Sequence, residues 1–410
     1  MEHPIHAVDD GHQIPDIECL KLNSEILARL EQNDPDLSGL KLVQDGWFEG
    51  AGRAIGGNKH LKKLSISIGY IGYETTDGSW IGELCREGLS LNQSIESLSL
   101  LTLNAGMDGL DIFPTILQHN CNLRCIQLTE ILSETSLDFL ASALSQSKND
   151  RLECIEVHSC GVTNAQFAGF CNALSRQKNL SSLKFLDEGR GIFSNDTILD
   201  DENATILRNF LIGHKSLKSF QLDAALTVTG WNIFSTALSH PKCSLETLVI
   251  NASNDDVDNE IITRLGVVLE VNNSLKYLRL GITRFEGVVT ESVNNCLNVI
   301  SRVLCDLSSI QCTSASNHTL QNVHLGDDDD IWNDIPSFLR MNRNVNKAEV
   351  ARQKILTYHF DGGNTNLHVF SEMSMTAIMP HAIEWIGRNG DGLTMMYNLL
   401  RGNPTLVLSR

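Results

Sequence analysis

The stretch LRCIQL (residues 123–128) returns as LECIEV (residues 152–157) and again as LSSLKF (residues 180–185). Working outward, the same Leu-x-x-Leu-x-Leu phrase begins at Ile95, Leu61 and Leu37 upstream, and at Leu217, Leu245, Leu275 and Leu320 downstream. A fainter copy begins at Ile17. That makes ten clear copies and an eleventh near the N-terminus. From Ile95 to Leu275 the steps are 28, 29, 28, 37, 28 and 30 residues. Within the phrase, positions 4 and 6 are apolar and positions 3 and 5 almost always are not, which is the alternation of a strand with one buried face. Between phrases lie LDFLASAL (residues 137–144), FAGFCNAL (residues 167–174) and the stretches 206–211 and 261–269. Their apolar residues fall at i, i+3, i+4 and i+7, the buried face of a helix. Strand and helix alternating at a fixed period of this length describe a solenoid, in which each unit buries its apolar face only against its neighbours.

The pattern specifies an α/β leucine-rich-repeat horseshoe, with a parallel sheet on the concave face and helices on the convex face. With a true helix in each 28-residue unit, residues 17–340 resemble the ribonuclease-inhibitor type of leucine-rich repeat. That resemblance implies a non-catalytic scaffold or adaptor that binds a protein partner. One feature departs from the type: of the Asn or Cys that follows the strand, only Cys160 has the expected offset, and Asn104 and Asn254 come one residue late. From about residue 344 the period is lost. Residues 347–359, 380–388 and 393–400 then read as helices. This end, through EVARQKIL, YHF, PHAIEWIGR and GLTMMYNLLR, resembles uncharacterised repeat proteins of marine microalgae. The expected organisation is a flexible N-terminus (1–16), a solenoid (17–343) and a helical C-terminal cap (344–410), because an end repeat needs a cover with a polar outer face.

The formal charge is −18, from 32 basic and 50 acidic side chains. Such a surface repels phosphate backbones and anionic lipid, so neither nucleic acid nor a membrane is an expected partner. No run of 18 apolar residues occurs and the first residues lack a signal-peptide pattern. A cytoplasmic or nuclear location is therefore expected, with the eleven cysteines as reduced thiols. Seven N-x-Ser/Thr sequons, among them Asn92, Asn179, Asn272 and Asn317, are better read as turn residues ahead of strands than as glycosylation sites.

No Walker, G-x-S-x-G or H-E-x-x-H motif is present, so no enzyme activity and no cofactor are expected. GAGRAIGG (residues 50–57) lacks the Lys-Ser/Thr of a phosphate loop and fits close packing between helical segments. The candidate binding residues are those the strands turn away from the core: Glu156 and His158, in a triplet with Cys154 beside Cys125; Tyr277, Arg279 and His324; and, separately, Lys184. The first group offers too few ligands for tetrahedral zinc, so no metal is expected. Strand-to-helix loops collect acid, including Asp255, Asp256, Asp258, Asp327, Asp328, Asp329 and Asp330, whereas helix-to-strand loops collect Lys62, Arg124, Lys218 and other cations. An acidic rim of this kind would suit a partner with a basic surface. Three steps between phrases are long; the first two expand loops at 69–79 and 187–203, and the third reads as a helix over 289–307 followed by a polar loop. A second reading, from resemblance to the Ran-activating repeat proteins, is a GTPase-activating regulator, with Arg190 in the 187–203 insertion as the supplied arginine.

Overall fold

The structure, a computed structural model, describes residues 17–43, 49–67, 79–103, 112–131, 134–147, 149–158, 164–186, 198–223, 225–252, 259–282, 291–325 and 335–360. The chain forms two compact units, Met1–Asn254 and Asp255–Arg410. In the first, strands β1 (Leu20–Lys21), β2 (Gly39–Val43), β3 (Lys63–Ser67), β4 (Ser97–Leu103), β5 (Cys125–Ile131), β6 (Cys154–His158) and β7 (Ser182–Leu186) follow one another. A two-residue strand β8 (Ile198–Leu199), β9 (Ser219–Leu222), a second short strand β10 (Ala225–Leu226) and β11 (Thr247–Ala252) complete the set. All but β8 and β10 lie side by side in chain order as one open parallel sheet; β8 and β10 pair with each other. The leucine-rich-repeat solenoid fold is thus present, and the faint first copy is a true rung, because Leu20 pairs with Leu40.

Apart from β1, which begins at position 4, and the short β8 and β10, which lie outside the phrase, each strand begins at position 3, and like positions face like. Leu64, Leu98, Ile126, Ile155, Leu183, Phe220 and Leu248 are successive register partners at position 4. They are fully buried, as are Ile66, Leu100, Leu128, Val157 and Phe185 at position 6. The position-2 carbonyl makes the rungs coaxial: Glu96 O accepts from Arg124 N and Cys125 N, Arg124 O from Glu153 N and Cys154 N, and Glu153 O from Ser181 N and Ser182 N, all at 2.7–3.0 Å. One carbonyl holding two amides leaves the next strand little freedom to slip. A one-residue slip would turn every buried side chain outward.

Helices α1 (Ser24–Glu31), α2 (Ala51–Gly57), α3 (Ser79–Glu83, continued by a π-helical turn Leu84–Leu89), α4 (Ile112–His119), α5 (Glu134–Gln146), α6 (Asn164–Leu174), α7 (Asp201–Gly213) and α8 (Val228–Leu238) alternate with these strands. The glycines of GAGRAIGG are there for proximity. A Cβ on Gly56 would overlap the carbonyl oxygen of Glu87, and one on Gly52 would lie 3.0 Å from that of Glu83. Further along, Phe167, Phe170, Phe185, Phe220 and Phe234 form a chain of ring contacts 5.6–6.5 Å between centroids, filling the space between sheet and helices. The 187–203 loop ends sooner than expected: β8 occupies 198–199, and Asp200 caps α7 by accepting from Asn203 N at 2.8 Å. An Asp followed by Asp201 and Glu202 favours a helix start through capping and the macrodipole.

The second unit holds α9 (Asn259–Val271), β12 (Tyr277–Ile282), α10 (Glu291–Leu304), α11 (Ile310–Ala315), β13 (Asn322–Leu325), α12 (Ile335–Asn342) and α13 (Lys347–Ile355), the last followed by a π-helical turn Leu356–Phe360. Strands β12 and β13 are parallel and keep the same register, Tyr277 on Asn322 and Arg279 on His324. The third long step is not helix plus polar loop but two helices. Ser309 caps α11 by accepting from Cys312 N at 3.1 Å.

A buried side-chain ladder, which the strand pattern does not reveal, supports both units. Three residues before the phrase stands Asn58, Asn92, Asn120, Asn149, Asn272 or Asn317, each buried. The side-chain oxygen closes the turn: Asn92 Oδ1 accepts from Ser94 N at 2.8 Å and Ile95 N at 3.0 Å. The amide reaches back one repeat, Asn92 Nδ2 donating to Ile55 O at 2.6 Å and Asn58 O at 2.9 Å. Gln177 and His214 take the same place where Asn is lacking, donating to Leu144 O and Gln177 O, both at 2.9 Å. In the second unit Asn317 repeats the geometry, and Asn342 Nδ2 donates to Leu320 O at 2.7 Å. There the phrase ends, since Val345, where its first leucine would stand, is 92% exposed.

Candidate interaction surface

Because core-facing and outward residues alternate, the sheet of the first unit presents positions 3, 5 and 7 on its open face. From β2 to β4 these are small or aliphatic apart from Lys41 and Lys63, with Ser65, Ser97 and Ser99 buried among their neighbours. Charge concentrates where β5, β6 and β7 meet. Lys184 Nζ lies 2.7 Å from Glu156 Oε1, across one rung. His158, two residues along the same strand, brings Nε2 to 3.7 Å from Glu156 Oε2, and Gln127 Nε2 lies 3.5 Å from the same imidazole nitrogen. Cys154 Sγ is 3.9 Å from Glu156 Oε1. Cys154, Glu156 and His158, a triplet in the sequence reading, are adjacent here, and Lys184 joins them from the next strand.

Burial is the largest influence on the Glu156 carboxyl and pushes its pKa up. The contact with His158 and the charge and hydrogen bond of Lys184 together outweigh it and hold the pKa at about 2. A carboxylate whose folded pKa is depressed contributes stability above its unfolded pKa and loses it as pH falls toward the folded value. Glu156→Gln should therefore cost about 1–2 kcal/mol at neutral pH, the gap closing between about pH 4.5 and pH 2. Urea unfolding of both proteins at pH 7 and pH 3 reads this directly; a gap that does not narrow in acid would refute the ionic role.

Along the helix-to-strand edge of the sheet, position 2 alternates in sign. Lys62 pairs with Glu96 at 2.6 Å, Arg124 with Glu153 through two bonds of 3.1 and 2.6 Å, and Lys218 with Glu246 at 3.1 Å. Of the cations expected along this rim, Lys62, Arg124 and Lys218 are thus each paired with a glutamate one rung on. Adjacent rungs about 4.8 Å apart bring such side chains together, and linear sequence separates them by about one repeat. Half-exposed pairs like these contribute up to about 1 kcal/mol each and chiefly discriminate register.

In the second unit Tyr277, Arg279 and His324 also assemble. The rings of Tyr277 and His324 lie 5.3 Å apart at 37°, and Arg279 is the register partner of His324. Asp255, Asp256, Asp258, Asp327, Asp328, Asp329 and Asp330, the Arg190 of the GTPase-activating reading and the Cys160, Asn104 and Asn254 turn positions lie outside the described residues, as do 1–16 and 361–410. Among the described residues no group of three or more His, Cys, Asp or Glu is arranged to hold a metal ion. No described helix is long and apolar enough to cross a membrane.

No family model and no curated protein matches the chain. Among solved structures, it is similar to a leucine-rich-repeat protein, LegL7, from Legionella pneumophila, at 14% identity and a TM-score of 0.35, covering 62% of this chain and 92% of that one. A tropomodulin C-terminal domain from Caenorhabditis elegans is similar at 13% identity and a TM-score of 0.31, covering 41% of this chain and 93% of that one. A structure described as leiomodin-1 actin-binding site 2 is similar at 16% identity and a TM-score of 0.26, covering 54% and 95% of the respective chains.

Proposed function

We propose that this protein is a non-catalytic scaffold of the ribonuclease-inhibitor type that binds a protein partner through the outward face of its strands. The observation that carries the reading is the Glu156–Lys184–His158 group, set on the open sheet face and not at a structural seam. A partly buried ion pair seldom stabilises a fold better than apolar residues of the same volume. Such a group is well suited to fixing the register and identity of a partner. Tyr277 and Arg279 offer a second patch, of the residue types that most often dominate binding energy. The acidic stretches at 255–258 and 327–330 would add attraction for a basic surface, and residues 344–410 would serve as the cap that keeps the array monodisperse.

The test is capture of partners from native lysate with four proteins: wild type, Glu156→Gln with Lys184→Ala, Tyr277→Ala with Arg279→Ala, and Asp327, Asp328, Asp329 and Asp330 all replaced by Lys. Partners retained by wild type should weaken at raised salt and be lost, at least tenfold, from one or more of the variants. A captured set unchanged by all three variants would overturn the reading.

A further inference from the structure

Cys125 and Cys154 are register partners on adjacent parallel strands, β5 and β6, at position 3 of the phrase. Both side chains therefore stand on the open sheet face, and both are partly exposed. Neighbouring strands lie about 4.8 Å apart, inside the Cα separation of about 4.4–6.8 Å that a disulfide requires. The Cys154 thiol is also the largest influence on that of Cys125, a hydrogen bond between the two pushing the latter's pKa well above its usual range. Of the other described cysteines, Cys19 and Cys312 are also partly exposed, but neither lies in a strand. Cys85, Cys171, Cys243, Cys296 and Cys305 are buried, and the exposed Cys121 lies at a turn against Gln93.

We propose that Cys125 and Cys154 are a modification site, at which a hydroperoxide oxidises the pair to a reversible cross-rung disulfide. One thiol attacks the peroxide, breaking its O–O bond, and becomes a sulfenic acid as the first water (or alcohol) leaves. The second thiol attacks that sulfur, the S–O bond breaks, and the hydroxyl departs with the remaining thiol proton as water. Two thiols lose two electrons and two protons, and the peroxide gains them. Parallel side chains on facing rungs hold their Cβ atoms near the strand spacing, which is somewhat more than a relaxed disulfide prefers. The bond would draw β5 and β6 together locally and be readily reduced, as strained disulfides are. It would also remove the Cys154 S–H that faces Glu156 Oε1, the same oxygen that receives Lys184. The site stands independently of whether a protein partner binds.

The experiment uses the full chain. It is treated with hydrogen peroxide, its free thiols are blocked with N-ethylmaleimide, and it is digested without reductant for peptide mass spectrometry. The expected product is a pair of peptides joined through Cys125 and Cys154, two hydrogens lighter than their sum. The product should be absent from Cys125→Ser and Cys154→Ser, and reversed by millimolar glutathione. In parallel, a short bifunctional thiol reagent on wild type reports whether the two sulfurs are neighbours, so the conclusion does not depend on how the variants fold. Bridging by that reagent without a peroxide-induced link overturns the oxidation proposal. Oxidation at Cys121 with both Cys125 and Cys154 still alkylated overturns it as well.

Discussion

Asn317→Ala is expected to destabilise the protein by about 3–4 kcal/mol, from four lost hydrogen bonds at about 1 kcal/mol each. Asn317 Oδ1 accepts from Thr319 N at 2.8 Å and Leu320 N at 2.9 Å, closing the turn that aims β13. Its Nδ2 donates to Leu269 O at 2.7 Å and Asn272 O at 2.9 Å, which ties that turn to the preceding repeat. The side chain is 3% exposed, so water cannot replace these partners without opening the repeat. Asn317→Asp keeps the acceptor but loses both donors and buries a charge, so it should be no better tolerated. Asn273→Ala is the control: that residue is exposed beside the buried Asn272 and should change stability by less than about 0.5 kcal/mol. Urea unfolding of the three variants decides the matter. A loss for Asn317→Ala no greater than for Asn273→Ala would show that the ladder is ornamental.

The second large effect is expected at Lys354, a fully buried ammonium on α13. Its Nζ donates to Leu304 O at 2.5 Å, at the C-terminal end of α10, and to Asn317 O at 3.2 Å. It also lies 3.2 Å from His318 Nδ1. Burial pushes the histidine pKa down to about 4, with the charge of Lys354 adding to the effect, so the imidazole is neutral near pH 7. Its Nε2 then donates to Ser314 O and its Nδ1 accepts from the lysine. Lys347 does similar duty nearby, donating to Asn342 O at 2.9 Å and Asn344 O at 3.1 Å. Past the last described strand, Lys354 adds a donor to Asn317 O, which Asn342 Nδ2 also reaches at 3.2 Å, and Lys347 supplies one to Asn342 O and Asn344 O.

Burial depresses the Lys354 pKa to about 8, with Cys305 pulling it upward and Lys347 downward. The unfolded chain holds its proton up to an ordinary lysine pKa of about 10.4. Between those values it binds more protons than the folded protein, so stability contributed at this site rises with pH across that window. Lys354→Ala should cost about 3 kcal/mol at pH 7, from lost packing and the Leu304 carbonyl left short of a donor. Lys354→Met keeps the apolar stem and should cost less. The difference between wild type and Lys354→Met should grow in favour of wild type from pH 8 to pH 10. A constant difference over that range would place the ammonium pKa outside it.

Much of this architecture was legible in the sequence because a strand with one buried face writes its alternation into local order. The phrase at Leu152, Ile155 and Val157 locates β6, and the spacing to Leu180 locates β7, so Glu156 and Lys184 could be placed as neighbours on an outward face. The same rule put Cys125 beside Cys154 and Arg279 beside His324. Misreadings arose where a residue's partner lies one repeat away and carries no local signature. Lys62, Arg124 and Lys218 read as free members of a longer row of cations, because the glutamates that pair with them are 28 to 34 residues distant. The ladder asparagines had a visible signal, an Asn three residues before six of the phrases, but it surfaced only as sequons at Asn92, Asn272 and Asn317.

The sequence by itself determined the solenoid, its period, the buried side of each repeat strand and which of their side chains share a rung, since these follow from short-range alternation and a fixed repeat length. Only the tertiary structure decided which polar groups are satisfied and by whom. It showed Asn92 holding the carbonyls of the preceding turn, Glu156 ionised against burial by Lys184 and His158, and Lys354 buried under the end of α10. Hydrogen bonding and charge pairing act over a few ångströms in space, and nothing in the chain order of Leu304, Asn317 and Lys354 shows that they meet.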